Sequence, residues 1–251
     1  MSANNEEVIF ELNTKDKNRK LCIDDVKCFA LNNKNKFKVL HLIINSLYSK
    51  MCEIDLILQM KQYDIVFLNE TKFDRYTSSS FYPNNYYDII RTDRDFNDDQ
   101  SGSKGGGIII FVKKYYKVKF IKSLDVEFIY LNVRTKDKSI NFISAYKSPK
   151  ANNFQFLDTL EKFMLSIDLS LPLFIIGDLN LDLLKVNGKY TNSKGLQLQD
   201  FITNYNMSNF ITVPTRSAIY KNKKNDTIRK SNTLIDVVIH NSDLLNKTDV
   251  I

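Results

Sequence analysis

Short apolar runs separated by polar segments recur along the chain from Phe37 onward. Their lengths, and their content of β-branched and aromatic residues, are typical of buried β-strands. The polar segment 135–138 lies between two of these runs and predicts a hairpin turn. The predicted strands are Phe37–Ile44, Ile65–Leu68, Ile108–Val112, Phe128–Val133, Ile140–Ala145, Leu173–Ile176 and Thr233–Ile239.

Three other segments carry apolar residues at the spacing of an amphipathic helix. Helices that alternate with short buried strands indicate a mixed α/β domain. The predicted apolar faces are Met51, Ile54 and Leu58 within 49–62, then Phe156, Leu157, Leu160, Phe163, Met164 and Ile167, and finally Leu198, Phe201, Ile202 and Tyr205.

Residues 1–36 have a different character from the rest of the chain. They are polar, carry mixed charge and show no sustained hydrophobic period. We therefore expect a polar tail over residues 1–36, with disorder as one possible state. Residues 37–251 are expected to form one domain, a size that suits a single large hydrophobic core.

Composition excludes several classes of protein. Hydrophobic residues make up 43% and charged residues 26%, which excludes a wholly disordered chain. No run approaches the roughly 18 apolar residues of a membrane helix, and the first residues lack the pattern of a signal peptide. We therefore expect a protein of the cell interior with no membrane partner. Two histidines and three cysteines are too few for a multi-histidine metal site or a disulfide framework.

The formal net charge of +7, from 36 Lys and Arg against 29 Asp and Glu, is compatible with a polyanionic partner. A chain rich in Asn and Lys can also acquire such a charge from a biased genome. The charge alone therefore does not establish nucleic-acid binding.

Polar residues recur where the predicted strands end. Asn45, Glu70, Tyr146, Asp178 and Asn180 all follow apolar runs, and ligands often bind where loops present polar groups over a rigid core.

Asp236 interrupts the last predicted strand. Together with Glu70 and Asp178 it places a third carboxylate at the edge of the core, where each needs a base, a hydrogen-bond donor or a metal. Magnesium suits one or two such carboxylates and completes its shell with water and phosphate oxygens. Each acid alone could be a strand-end cap, but three together favour a site.

The motifs, taken in order, resemble those of the endonuclease/exonuclease/phosphatase superfamily. The resemblance covers about residues 37–245 and is closest to the endonuclease domains of non-LTR (LINE-type) retrotransposons. It implies a DNase I-like fold, a four-layer α/β/β/α sandwich of two packed mixed sheets. The segments that carry it are 42–47 with Lys50, 67–72, 91–94, 105–113, 144–149, 177–185, 213–216 and 231–236.

The resemblance also implies roles for individual residues. Glu70 would hold a divalent metal, Mg²⁺ or Mn²⁺, and Asn45 occupies the place of a second, weaker metal-side residue. Tyr146 would donate a hydrogen bond to the scissile phosphate. Asp178 would orient or deprotonate the attacking water, and Asn180 would position the phosphate.

Four further residues take their expected roles from the same resemblance. Asp236 matches an aspartate near the catalytic network. Arg91, Arg94 and Arg216 are expected to contact the phosphates of DNA, although solvated surface arginines are the more common case.

The sequence departs from the family pattern in two places. Ile43 stands where the family usually has Asn, and an isoleucine side chain neither donates nor accepts a hydrogen bond. The family's closing Ser-Asp-His motif is absent, so we expect a C-terminally truncated domain that lacks its last strand. Loss of one transition-state donor commonly costs about 10²–10³ in rate, which predicts impaired catalysis.

The leading hypothesis is a Mg²⁺-dependent endonuclease of a non-LTR retrotransposon that nicks target DNA. DNA would then be its partner, together with a reverse transcriptase domain in a parent polyprotein, and the nucleus its place of action. One alternative is a catalytically impaired fragment that keeps the fold and the DNA-binding surface. Another is a phosphodiesterase or phosphatase of the same superfamily that acts on a phospholipid, an inositol phosphate or abasic DNA.

Overall fold

A computed structural model describes residues 8–13, 23–33, 35–74, 76–77, 85–93, 105–123, 125–221, 228–242 and 245–250. Strands and helices alternate along this part of the chain. The strands are β1 Val8–Asn13, β2 Phe37–Ile43, β3 Ile65–Asn69, β4 Tyr87–Thr92, β5 Ile108–Lys113, β6 Lys117–Lys122, β7 Phe128–Arg134, β8 Ser139–Tyr146, β9 Leu173–Asp178, β10 Lys185–Val186, β11 Lys189–Tyr190, β12 Ser208–Asn209, β13 Arg216–Lys221, β14 Ile228–Thr233, β15 Asp236–His240 and β16 Leu245–Val250. The helices are α1 Ile23–Asn32, α2 Met51–Gln59 after a 3₁₀ turn at Leu47–Lys50, α3 Asn153–Met164 and α4 Ser193–Asn204.

Two six-stranded mixed sheets form the framework of the domain. The first has the order β16-β1-β2-β3-β5-β4, and the second has the order β12-β15-β9-β8-β7-β6. Two small hairpins, β10-β11 and β13-β14, stand outside these sheets. Interior strands of both sheets, such as β5 and β9, begin with continuous apolar runs because they are covered on both faces.

The facing surfaces of the two sheets form a shared hydrophobic core. Phe67 of the first sheet packs on Phe142 of the second, and Phe142 stacks on Phe174 with ring centroids 5.5 Å apart. The outer face of the second sheet is covered by α3 and α4, whose buried residues belong to the same core. The outer face of the first sheet packs against α1 and α2 in a separate cluster. The four-layer α/β/β/α sandwich of two mixed sheets is thereby confirmed.

The two helices on the second sheet begin at asparagine caps. The side chain of Asn152 accepts a hydrogen bond from the backbone N–H of Gln155 at 3.2 Å, and Asn192 accepts one from Gly195 at 3.0 Å. Each cap satisfies a backbone donor that the first helical turn would otherwise leave without an intrahelical partner.

The structure differs from the predicted polar tail in two segments of residues 1–36. Helix α1 buries Val26, Phe29 and Ala30 against the first sheet, and Val26 O accepts a hydrogen bond from Tyr63 Oη at 2.8 Å. Strand β1 pairs in parallel with β2 on one side and with β16 on the other. One edge of the first sheet is therefore built from two strands that the hydrophobic pattern did not predict.

Two more strands lie where the sequence predicted none. Strand β4 is an edge strand with mixed burial, and β6 is an exposed edge strand with three lysines. The predicted hairpin between β7 and β8 is confirmed, and its turn is closed by a 2.9 Å hydrogen bond from Thr135 N to Lys138 O. Within the described residues, the helices are too short or too polar to cross a membrane.

Candidate active site

Three of the predicted site residues lie side by side on adjacent strands of the second sheet. Tyr146 closes β8, Asp178 closes β9 and Asp236 opens β15. In the strand register, Tyr146 is the partner of Asp178, and Asp178 is the partner of Asp236. All three side chains are buried. The sheet therefore presents one hydroxyl and two carboxylates at a single level of its edge.

Gly177 allows the middle strand to approach β8 closely at this level. Its φ is +151°, and a Cβ atom placed there would lie 1.7 Å from the carbonyl oxygen of Ala145. No larger residue fits such an approach without moving the backbone. The glycine that precedes Asp178 is therefore a packing requirement of the site.

Glu70 approaches from the first sheet. It follows β3 directly, its side chain is buried, and it forms a side-chain hydrogen bond with Tyr146. Its backbone adopts a left-handed conformation with φ of +57°, which is uncommon for a residue other than glycine. The site therefore spans both sheets.

Neighbouring loops fix the backbone around Glu70. Its carbonyl oxygen accepts a 2.8 Å hydrogen bond from Ser46 N, and the carbonyl of Thr71 accepts one from Leu47 N at 2.9 Å. On the other side, Lys72 N donates to Gly106 O at 2.9 Å. These bonds hold a strained segment that would otherwise relax.

The three glycines 105–107, which precede β5, also contact the second sheet through Glu127. The N–H of Gly107 donates to Glu127 Oε2 at 2.8 Å, and Glu127 O accepts from Tyr146 N at 2.9 Å. A Cβ atom on Gly107 would lie 2.4 Å from Thr71 Oγ1, so the close contact of these loops requires glycine. Glu127 thus adds another carboxylate beside Tyr146.

The Tyr146 hydroxyl lies in an acidic environment. Burial raises the pKa of Tyr146 above its usual value, and the negative charges of Glu70, Asp178 and Glu127 raise that pKa further. The hydroxyl consequently stays protonated and remains a hydrogen-bond donor at neutral pH. The same concentration of acids favours a bound cation.

Asn180 is anchored at the end of the second sheet. Its side-chain Nδ2 donates to Lys147 O at 2.8 Å, and its backbone N–H donates to Asp178 Oδ1 at 3.0 Å. Its φ is +48°, again in the left-handed region. The residue is therefore held beside Asp178 while one amide hydrogen stays available to a ligand.

Asp236 is positioned through Thr215, a buried residue of the Val-Pro-Thr-Arg segment. Thr215 Oγ1 accepts hydrogen bonds from the backbone N–H groups of Ile235 and Asp236, both at 3.2 Å. The segment that the resemblance singled out therefore ties the start of β15 to the β13-β14 hairpin.

Asn45 lies in the segment after β2, directly before Ser46, whose backbone N–H bonds to the carbonyl oxygen of Glu70. It has a left-handed backbone with φ of +49°, and its side-chain Oδ1 accepts a 2.6 Å hydrogen bond from the Lys72 ammonium group. A lysine thus already supplies positive charge to this amide oxygen.

Comparisons with known proteins agree with this geometry. Residues 140–251 match a family model described as endonuclease-reverse transcriptase. The endonuclease domain of TRAS1, a telomere-specific non-LTR retrotransposon, is 15% identical and superposes with a TM-score of 0.56 over 80% of this chain and 83% of its own. An AP endonuclease from Archaeoglobus fulgidus is also 15% identical, with a TM-score of 0.55 over 80% of this chain and 85% of its own. No curated protein matches the sequence.

The fold is that of the endonuclease/exonuclease/phosphatase superfamily. Residues 140–251, which carry Tyr146, Asp178, Asn180 and Asp236, are the part of the chain that the family model matches. Members of the superfamily are nucleases and phosphodiesterases. The sequence resemblance to it is confirmed.

The donors at this superfamily site fit a divalent cation such as Mg²⁺. Glu70 offers a buried carboxylate at a strand end, and the negative charges around Tyr146 favour a cation there. In the described part of the chain, no three His, Cys, Asp or Glu side chains are grouped to hold a metal. Magnesium does not need such a cage, because it is commonly held by one or two carboxylates and keeps several waters.

The predicted DNA-contacting arginines have different surroundings. Arg91 forms an ion pair with Asp93 at 2.6 Å and donates to the carbonyl oxygens of Asp74 and Thr77 at 3.0 and 2.6 Å. Its guanidinium group thus holds the loop after β3 in place. Arg216 is half-buried at the start of β13, and Arg94 lies outside the described residues.

Three residues around the site were not predicted from the sequence. Glu127, Thr215 and Asn69 all act through contacts between segments far apart in the chain. Asn69 precedes Glu70 within the same motif, which is the one sequence signal that could have pointed to it. Thr215 likewise lies in the motif segment 213–216, whereas no motif or local pattern marks Glu127.

Proposed function

We propose that the chain hydrolyses phosphodiester bonds of DNA with the help of Mg²⁺ and thereby nicks one strand. The observation that carries this proposal is the alignment of Tyr146, Asp178 and Asp236 at one level of three strands, with Glu70 hydrogen-bonded to Tyr146 from the other sheet. A phosphate placed there would meet a donor, a base and a cation site together.

In this proposal each side chain has a defined task. Asp178 accepts a proton from a water molecule, whose oxygen attacks the phosphorus atom as the bond to the 3′-oxygen breaks. The departing 3′-oxygen takes up a proton and becomes a 3′-hydroxyl. Tyr146, held protonated by its surroundings, would turn its one hydroxyl hydrogen from Glu70 to a non-bridging phosphate oxygen when the substrate binds, and Asn180 positions the same group.

Glu70 would hold the metal ion, with Asn45 on the metal side. A bound Mg²⁺ would supply Lewis-acid stabilisation of the charge that develops on the phosphate. Asp236, fixed by Thr215, would keep the Asp178 strand end in place and add negative charge beside the metal.

Incubation of the purified chain with supercoiled plasmid tests this function. We expect Mg²⁺-dependent conversion to the nicked form, and a decrease of about 10²–10⁴-fold in the Asp178→Ala variant, the usual contribution of a positioned acid or base. Asp158→Ala is a matched control, because Asp158 lies on the exposed face of α3, where its side chain pairs with Lys162 at 2.8 Å. Nicking no faster than that of Asp178→Ala would refute the proposal.

The natural setting is a further part of the proposal. The description of the matching family model names a reverse transcriptase, and the TRAS1 neighbour comes from a non-LTR retrotransposon. We therefore propose chromosomal DNA in the nucleus as the substrate and a reverse transcriptase domain as the partner. A transcript that encodes both in one frame would support the pairing, and a transcript without a reverse transcriptase would count against it.

Ile43 supports a second candidate, a domain with the same fold and weak catalysis. Ile43 closes β2 in register with Asn69, so its apolar side chain lies beside the strand that carries Glu70. If this reading is correct, Ile43→Asn should nick at least about tenfold faster than the native chain. Equal rates for the two proteins would argue against it.

A further inference from the structure

Three fully buried polar side chains meet between the two sheets directly beneath the site. Asn69 Oδ1 lies 3.0 Å from His41 Nε2 and 3.4 Å from Ser144 Oγ, and Asn69 Nδ2 donates to Ala145 O at 2.8 Å. Polar groups inside an otherwise apolar core are destabilising unless they are hydrogen-bonded. Their presence at this one level of the core therefore calls for a functional explanation.

The hydrogen-bonding roles in this group follow from simple chemistry. A carbonyl oxygen only accepts, so Ala145 O must face the amide nitrogen of Asn69. The amide oxygen of Asn69 then faces His41 and Ser144 and can only accept from them. His41 must therefore carry a proton on Nε2, and the orientation of the Asn69 amide is fixed from both sides.

The group lies one residue away from the candidate catalytic contact. Asn69 immediately precedes Glu70, and Ala145 immediately precedes Tyr146. The hydrogen bond between Asn69 and Ala145 and the one between Glu70 and Tyr146 are thus consecutive links between the same two strands.

Ala145 O is also fixed from the side of β9. It faces the position of Gly177 where a Cβ atom would lie 1.7 Å away, and Ala145 is the register partner of Gly177. Movement of this carbonyl would therefore displace Tyr146 and Asp178, the next pair of register partners on the same two strands.

We propose that Asn69 and His41 are positioning residues that set the spacing between Glu70 on one sheet and Tyr146 with Asp178 on the other. This inference rests on the proposed phosphodiesterase function. Neither residue touches the substrate in this scheme; both act by holding the two halves of the site in register.

The test compares two buried asparagines. Asn141 is equally buried in β8 and is bonded to Tyr130 Oη at 2.9 Å and Asn132 Nδ2 at 2.7 Å, but it lies near the opposite end of that strand. We expect Asn69→Leu to lower kcat for plasmid nicking about 10–100-fold with little change in KM, because a small displacement of reacting groups reduces rate more than binding. Asn141→Leu should leave kcat per folded molecule unchanged.

His41 provides a rescue experiment. His41→Leu should lower kcat because it removes the donor to Asn69, whereas His41→Gln should restore much of the rate because its amide N–H can replace the imidazole donor. Equal rates for the folded His41→Leu, Asn69→Leu and native proteins would overturn the proposal.

A double-mutant cycle separates this inference from the proposed function, because it needs no activity. The coupling between Glu70→Gln and Tyr146→Phe in unfolding free energy is measured in the native and the Asn69→Leu backgrounds. We expect the coupling to be lost in the Asn69→Leu background, whether or not the chain nicks DNA. Coupling that persists unchanged would refute the positioning role, whereas absence of nicking alone would refute only the proposed function.

Discussion

The two ends of strand β3 each have a buried carboxylate, Asp64 before the strand and Glu70 after it, and the groups that surround these two acids differ. At its start, Asp64 Oδ1 accepts from Lys113 Nζ at 3.0 Å, Tyr115 Oη at 2.8 Å and Tyr116 Oη at 3.1 Å. Its other oxygen accepts from the backbone N–H of Lys38 at 2.7 Å. This set, which we call the Asp64 cluster, surrounds one acid with donors from two strands, β2 and β5, and from the β5-β6 turn.

At the end of β3, acids gather around a single hydroxyl. Glu70, Asp178 and Glu127 each raise the pKa of Tyr146, and Asp236 adjoins Asp178 in the register. The five-residue strand between these ends is uniformly buried. The comparison teaches that the acid at one end is satisfied by donors of the chain itself, whereas the other end concentrates negative charge, which under the proposed function would hold a divalent cation beside a substrate phosphate.

The largest expected effect comes from removal of charge at the site end. Glu70→Gln should slow plasmid nicking about 10²–10⁴-fold, because a metal ion supplies several kcal/mol of transition-state stabilisation. The free energy of unfolding should stay the same or rise, since one of several crowded acids is neutralised. Nicking rates and urea denaturation check both parts, and a stable variant that still nicks at the native rate would contradict the comparison.

Removal of the acid at the start of β3, Asp64, should lower the stability of the protein and leave its nicking activity unchanged, the opposite of the result expected for Glu70. Asp64→Ala leaves the partly buried Lys113 ammonium without its carboxylate partner and removes the acceptor for two tyrosine hydroxyls, so it should lower the free energy of unfolding by about 2–4 kcal/mol. Nicking per folded molecule should not change. Urea denaturation measures the loss, and a stability change below about 1 kcal/mol would show that the Asp64 cluster is not the structural end.

The pH dependence of the free energy of unfolding gives a further test of this comparison, because Lys147 near the site has a shifted pKa. Burial, helped by the charge of Lys194 and opposed by that of Asp178, lowers the pKa of Lys147 from 10.5 to about 8. Between these two values the unfolded chain binds a proton that the folded chain does not, so this residue makes stability rise with pH. Lys38 at the other end also has a lowered pKa through burial, but Asp64 opposes it.

We therefore expect Lys147→Met to be most stabilising relative to the native protein near pH 7, and this advantage to shrink by about 1–3 kcal/mol as the pH approaches 10. Denaturation at a series of pH values measures the difference. A constant difference across the series would mean that Lys147 is charged in the folded protein throughout.

The smallest expected effect is at the rim of the Asp64 cluster. Tyr115→Phe removes one of the three donors to Asp64 Oδ1, from a side chain that is 68% exposed. The expected loss is about 1 kcal/mol in the free energy of unfolding, since water can replace the hydroxyl. Thermal denaturation of this variant beside Asp64→Ala gives the comparison, and equal losses would show that the hydroxyl supports far more than one hydrogen bond.

Burial explains which strands the sequence could predict. Strands β3, β5 and β9 are apolar up to the polar residue that ends each one because both faces are covered, so each gives a recognisable apolar run. Strand β6 is mostly exposed and reads as Lys-Val-Lys-Phe-Ile-Lys, which resembles a surface segment. Strand β4 has only two buried positions, so its pattern was lost in the surrounding loop.

The site divides in a similar way. Polar residues that end buried runs, such as Glu70 and Asp178, can be recognised because local pattern places them at the edge of the core. The residues that position their neighbours, Thr215 beside Asp236 and Glu127 beside Tyr146, act through contacts between distant segments, which a local pattern does not reveal. Arg91 is the reverse case. A motif made this residue easy to single out, but its guanidinium group bonds to the carbonyl oxygen of Asp74 and to the Asp93 carboxylate, contacts that the motif did not indicate.

Asn45, Glu70 and Asn180 have a left-handed backbone, so the residues that relatives carry at these three positions can show whether the side chains have been under selection. A residue with a side chain held in such a conformation costs of order 1–3 kcal/mol, and glycine would remove most of that cost. Lineages selected only for a stable fold should therefore drift towards glycine at these sites. Lineages in which the side chains still matter should retain them despite the penalty, so the identities of these residues among relatives would separate maintained enzymes from relics.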